Sequence, residues 1–300
     1  MAATGQIVRL GRRWGGRLAA GWGRARSRYS WLDHLVRAVL RYDAADGGRL
    51  SAALTYYAFF ATFALALLGF AIVGRVLDDP AVLAQVQRYL SDNFPRLQVQ
   101  ALRDARSTAG LIAFVGLPLT GLFWMDALRS ASRAMWRLEE YPGTFFVRQL
   151  IDLAVLAGLG LLLAASLAVS FGAQRILTWL AIATVGVDAA PAHGVLTVAA
   201  VLLGLAVNTL LALALLAGPP RLRLPPRRAI APALVIVFGL EILKTLGQLY
   251  LDLTAANPAY QVVAGAVGML LFLKIANQLI LFATALAATS TTGQVTDLAA

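Results

Sequence analysis

Six apolar runs, at residues 50–73, 109–128, 150–171, 195–216, 229–250 and 260–287, dominate the pattern of hydrophobic and polar positions. Each is about as long as the roughly 20 residues that a helix rising 1.5 Å per residue needs to cross a bilayer core. The pattern predicts an all-α integral membrane protein: a bundle of six transmembrane helices with amphipathic helices at the interfaces. Over residues 30–42, Trp31, Leu32, Leu35, Val36, Val39 and Leu40 share one helical face, opposite Asp33, Arg37 and Arg41. An amphipathic helix capped by Ser30 is expected there, lying in the inner interface. Within the connection 75–107, Asp79-Pro80 starts a second stripe of Val82, Leu83, Val86, Tyr89 and Leu90, which reads as a helical cap outside the membrane. Residues 175–187 are too short to cross alone and read as an extension of the third span. The chain thus divides into a basic arm with an amphipathic helix at 1–49, a six-helix domain at 50–287 and a short tail at 288–300.

Composition agrees with a membrane protein. Hydrophobic residues make up 59% and charged residues 14%, against about 45–50% and about 25% in soluble domains. The net charge of +11 raises nucleic acid as a partner, but the basic residues flank apolar runs instead of forming a folded basic face, and no nucleic-acid role is expected. There is no Cys, and His34 and His193 lie far apart without ligand-spaced companions. Neither a metal site nor a cofactor is expected, and no enzyme. The first apolar run starts behind an Arg-rich segment, unlike a cleaved signal peptide, so the N-terminus is expected to be retained.

Charge also sets sidedness. The arm and the loops after the second and fourth spans hold 18 Arg and Lys, the alternate loops 6. Both termini are therefore expected on the cytosolic side of a bacterial inner membrane. The fourth-to-fifth connection, GPPRLRLPPRR at 218–228, is proline-rich and carries four Arg without an acid. An extended segment against the cytosolic leaflet is expected, with Arg221, Arg223, Arg227 and Arg228, like Arg37 and Arg41, touching anionic headgroups.

Charge inside the apolar runs marks candidate chemistry. Glu241, Lys244 and Gln248 fall on one face of the fifth run, and Lys274, Asn277 and Gln278 interrupt the sixth. An ionisable side chain at mid-bilayer costs at least about 2.5–3.5 kcal/mol and normally faces a partner or a cavity. In an antiparallel pair Lys274 is expected within about one turn of Glu241 in depth, so a Glu shared by two Lys could hold an anionic headgroup or relay protons. The plainer alternative is that Glu241 neutralises one Lys while the other snorkels to an interface. In the first span Ser51, Thr55, Ala58 and Thr62 form a small, weakly polar face beside Tyr56 and Tyr57, which either packs closely or, with Pro118 of the second span, lines a pathway.

The strings SAALTYYAFFATFALALL at 51–68, WMDALRSASRAMWRLEEY at 124–141 and YQVVAGAVGMLLFLKIANQLILF at 260–282 resemble the YihY/virulence factor BrkB family. The resemblance covers roughly 50–287. It departs at Ala64, where a proline is usual, at Gln261, where a glycine is usual, at Ala283-Thr284-Ala285, where a closing glycine-alanine-glutamate group is usual, and at Lys274, where an aromatic is usual. It implies a six-span inner-membrane protein, with transport of lipids or envelope precursors among the proposed activities. An older ribonuclease label attached to the family finds no support in these residues. The expected function is a transporter or flippase using the charged hairpin. The alternative is a non-transporting scaffold or assembly factor, for which the small-residue faces speak, and self-association into a homo-oligomer stays open.

Overall fold

The computed structural model describes residues 28–73, 99–185, 190–254 and 258–299. The first half of the arm and the stripe from Val82 to Leu90 lie outside the described residues. Among these residues seven helices follow one another: α1 Ser30–Ala44, α2 Gly47–Val73, α3 Val99–Trp136, α4 Phe145–Val185, α5 Ala190–Ala217, α6 Pro226–Thr254 and α7 Pro258–Thr289. Among the described residues, Gly110–Trp136, Phe145–Ala165, Pro226–Tyr250 and Gly265–Thr289 are long and apolar enough to cross a membrane, and Leu202–Ala217 is a shorter apolar helix. The chain is not purely helical. Strands β1 Leu222–Arg223 and β2 Thr296–Asp297 pair antiparallel, with Leu222 opposite Asp297.

Local chemistry explains the element ends. At α1 the N-cap is Tyr29 and no side chain bonds there, so Ser30 is not the cap expected of it. Asp33 instead pairs with Arg37 one turn on, at 3.2 Å. The α1–α2 corner turns at Asp46 (φ 54°), and the Tyr42 ring lies where a side chain at Gly47 would project. α3 runs unbroken through Pro118, whose missing N–H loosens the ladder. α4 continues to Val185, so residues 175–185 extend the third apolar run as the sequence predicts.

α7 is the central helix, packed against α1, α2, α3, α5 and α6. On one side Leu281 and Ala285 meet Leu54 of α2 and Leu128, Ala131 and Met135 of α3. On the other, Ala283 meets Ala212 and Leu216 of α5 and Ala233, Ile236 and Val237 of α6. Both clusters lie toward the end of the bundle where α1, the α3–α4 and α5–α6 connections and the tail converge, here termed the basic end. Between α2 and α7 the buried Asn277 amide donates to Thr55 Oγ1 at 3.4 Å. The α6–α7 pair is antiparallel, with Gly239 against Leu279, Gly247 against Phe272 and Tyr250 against Gly268.

Gly239 sets how closely α6 and α7 approach, because a Cβ there would run into the Leu279 side chain, whereas Gly158 faces open space. Gly239→Val should therefore lower stability by about 1–3 kcal/mol through overpacking. Gly158→Val should stay near the parent. Thermal unfolding of the two variants in detergent checks the contrast, and equal melting would refute this packing.

Candidate functional site

A cleft of about 310 Å³ opens between α6 and α7 toward the end away from the basic end. Gly247, Gly265 and Gly268 leave the space empty, Tyr250, Met269 and Phe272 make its walls, and Lys244 and Gln248 stand at its polar edge. Lys244 Nζ bonds Glu241 Oε1 at 2.6 Å. Both side chains are about half exposed, at 53% and 50%. Glu241 is nonetheless mid-helix, about 22 Å from the Pro226 end of α6 and about 20 Å from the Thr254 end at 1.5 Å per residue. A paired charge thus stands mid-helix at the border of an apolar cleft.

The structure brings together only part of what the sequence marks. Lys274 lies at the depth of Lys244, but roughly 140° around α7 from Leu279, the residue that meets α6. It shares a flank of α7 with Asn277 and Gln278, and among the described residues no ion pair joins it to Glu241. The two-lysine triad is thus not assembled, because helical phase separates residues that depth alone would pair. Asn277 belongs to the α2–α7 contact, not the cleft. Ser51 and Thr55 are buried and bond the carbonyls of Gly48 and Ser51, while Tyr56 and Pro118 are exposed and Thr62 bonds Ala58 O. These five do not line one path.

Among the described residues the most buried charges lie elsewhere. At the basic end Asp152 of α4, 1% exposed, accepts from Arg129 of α3 on one oxygen and from Arg221 at 2.8 Å on the other. Arg129 also bonds Asp126, and Arg221 donates to Arg148 O at 2.9 Å. Arg133, also buried, forks onto both Asp297 oxygens at 3.0 and 2.7 Å and donates to the carbonyls of Pro220 and Glu139. Arg228 bonds the carbonyls of Ala287, Ala288 and Gly293 and lies over the Trp136 ring. The Arg133 hydrogen bonds hold the Asp297 carboxyl below its usual range against the opposing effect of burial, and burial, then Arg133 and Arg148, lower Arg221.

Two headgroup expectations are corrected by this geometry. Arg221 and Arg228 turn into the protein, because buried Asp152 and the open carbonyls at the α7 C-terminus need donors. Arg221 does so in the left-handed region, φ 58°, a strained conformation for a non-glycine residue. The 218–228 connection is correspondingly not an extended strip: Pro219, Pro220 and Leu222 are buried and Pro226 starts α6. Arg223 and Arg227 remain exposed. The signal for the network was present in the sequence. Asp152 is a lone acid two residues into an apolar run, and the rule that marks Glu241 marks it equally.

The family profile described as Virulence factor BrkB matches residues 38–298. Inner membrane protein YhjD of Escherichia coli (strain K12) is 28% identical over 155 residues, 46% of this chain and 45% of that one. An uncharacterized protein of Dickeya dadantii (strain 3937) is 28% identical over 278 residues, 86% and 83% of the two chains. A UPF0761 membrane protein of Azotobacter vinelandii is 29% identical over 233 residues, 75% of this chain and 54% of that one. The chain thus spans about half the length of the first and third of these relatives. No solved structure is a significant match.

Asp152→Asn would leave Arg129 and Arg221 without their shared carboxylate. Breaking a buried pair in this way costs roughly 3–5 kcal/mol, so the variant should melt far below the parent in detergent. Glu241→Gln, at a half-exposed pair, should cost much less. A variant ranking in the reverse order would show that the cleft pair, not Asp152, holds the bundle.

Proposed function

Because the chain belongs to the virulence factor BrkB family, a family of membrane proteins, we propose that it is a six-span inner-membrane protein that takes an amphiphilic, lipid-like or envelope-precursor molecule between α6 and α7 and moves it across the bilayer. One observation carries this reading: a half-exposed ion pair at mid-helix depth, at the edge of an apolar cleft. A lipid-facing pair would sit in hydrocarbon at a cost of several kcal/mol, which a bound polar headgroup or cleft water offsets. The four long apolar helices are joined by α2 and α5 to make six spans. By the basic bias both termini are cytosolic, so the basic end faces the cytosol. Arg223 and Arg227, and Arg41 with its near neighbour Arg137, then meet anionic headgroups. Burial, and next the Arg137 charge, lower Arg41 from its usual value, which is the setting in which an anion is welcome. This reading assigns transport and no catalytic step.

Reconstitution into vesicles holding a fluorescent phospholipid tests the transport reading. Wild type should speed transbilayer exchange over protein-free vesicles. Gly265→Phe, placed where the structure has open space in the cleft, should abolish that gain while leaving the melting temperature near the parent. The double variant Glu241→Gln with Lys244→Gln should do the same. A folded Gly265→Phe protein that still moves lipid at the parent rate would exclude the cleft as the route. No exchange by wild type, together with a stable partner co-purifying, would favour a scaffold.

The absence of cysteine makes orientation directly measurable. Single cysteines at Asp252 and at Thr292 of the tail should differ in intact spheroplasts, with an impermeant maleimide labelling the first and not the second. Labelling at Thr292 would place the C-terminus outside and overturn the proposed topology.

A further inference from the structure

The basic-end network pairs Arg129, Arg133 and Arg221 with Asp126, Asp152 and Asp297, and a fourth arginine, Arg148, joins it through its backbone carbonyl, which accepts from Arg221. The surplus positive charge has an address. Arg129, Arg133 and Arg221 each pair with a carboxylate, but among the described residues Arg148 has no ion pair, and its Nε is enclosed without a hydrogen-bond partner. Its guanidinium lies over the rings of Tyr141 and Phe145, at 5.3 and 5.6 Å, which aim the planar fork without neutralising it. Glu140 accepts from the Ser130 hydroxyl, and among the described residues no ion pair joins it to Arg148.

Position identifies what completes the site. Arg148 is in the first turn of the apolar stretch Phe145–Ala165, the level at which a membrane span meets the headgroups. Around it Tyr141, Phe145, Phe146 and Leu150 are exposed, Phe146 at 83%, a belt of rings typical of the bilayer interface. The positive end of α4 adds to the field at this point. We propose that Arg148, over its aromatic cradle, binds the phosphate group of an anionic membrane lipid, which serves as the missing counter-ion of the arginine network. The site is separate from the α6–α7 cleft and stands whether or not that cleft transports anything. A planar fork suits two phosphate oxygens, which selects a guanidinium over an ammonium.

Native mass spectrometry of the full chain, released from detergent with phosphatidylglycerol or phosphatidylcholine added, tests the proposal. Wild type should retain phosphatidylglycerol in preference to phosphatidylcholine. Arg148→Gln should weaken phosphatidylglycerol retention roughly ten-fold, the loss of a charge-assisted contact, and Arg148→Lys should fall between. Arg49→Gln, which removes an exposed arginine on another helix, should retain it as wild type does. Millimolar inorganic phosphate should not displace the lipid, because the aromatic belt needs the acyl region. Equal retention of the two lipids by wild type would overturn the proposal without reference to any variant. Unchanged retention by Arg148→Gln would overturn it too, and displacement by free phosphate would reject a lipid as the ligand.

Discussion

Asp152 sits between Arg129 and Arg221 with almost no surface exposed, and the basic end of the bundle is built around that contact. A carboxylate in an apolar helix is tolerated only where cations reach it, and here they come from two other parts of the chain. Its demand draws the α5–α6 connection inward, puts Arg221 in a strained conformation and buries Pro219 and Pro220. The same inward pull brings Leu222 to Asp297, so the tail pairs as a strand and Arg133 finds its acid. Removal of the aspartate would therefore affect α3, α4, the connection and the tail together.

Among the described residues the two ends of the α6–α7 pair differ accordingly. At the basic end, arginine forks join α3, α4, α6, α7 and the tail, and both apolar clusters pack there around α7. Toward the other end, α6 and α7 meet through glycines against Tyr250 and Phe272 and leave a cleft between them. Directional, charge-assisted bonds hold the basic end, whereas among the described residues α6 and α7 meet beyond it through dispersion contacts beside that cleft.

The choice of cation fits this division. Lys244 and Lys274 are the only lysines, and neither takes part in the basic-end clasp. Each clasp arginine makes several bonds at once, as Arg133 does to a carboxylate and two carbonyls, which a single ammonium could not do in so fixed a geometry. Basic residues near a span end thus serve two purposes here. Some remain at the surface, as Arg223 and Arg227 do, while Arg129, Arg133, Arg221 and Arg228 act as internal fasteners.

The sequence by itself determined the helices, the membrane class and the family, because twenty-residue apolar runs and helical periodicity are local properties that a bilayer reads one segment at a time. It also showed that Glu241 and Lys244 had to find partners, and it carried the same signal, unread, at Asp152. It did not determine which partners, since depth along a helix follows from counting while the azimuth toward a neighbour depends on how the helices pack. Lys274 shows this: it is at the right depth and on the wrong face. Only the tertiary structure decided that Arg221 and Arg228 turn inward, that the tail closes onto the α5–α6 connection and that the cleft forms beside Lys244. Each of these joins residues distant in sequence, and a buried charge is satisfied by whichever group the fold delivers within hydrogen-bond reach.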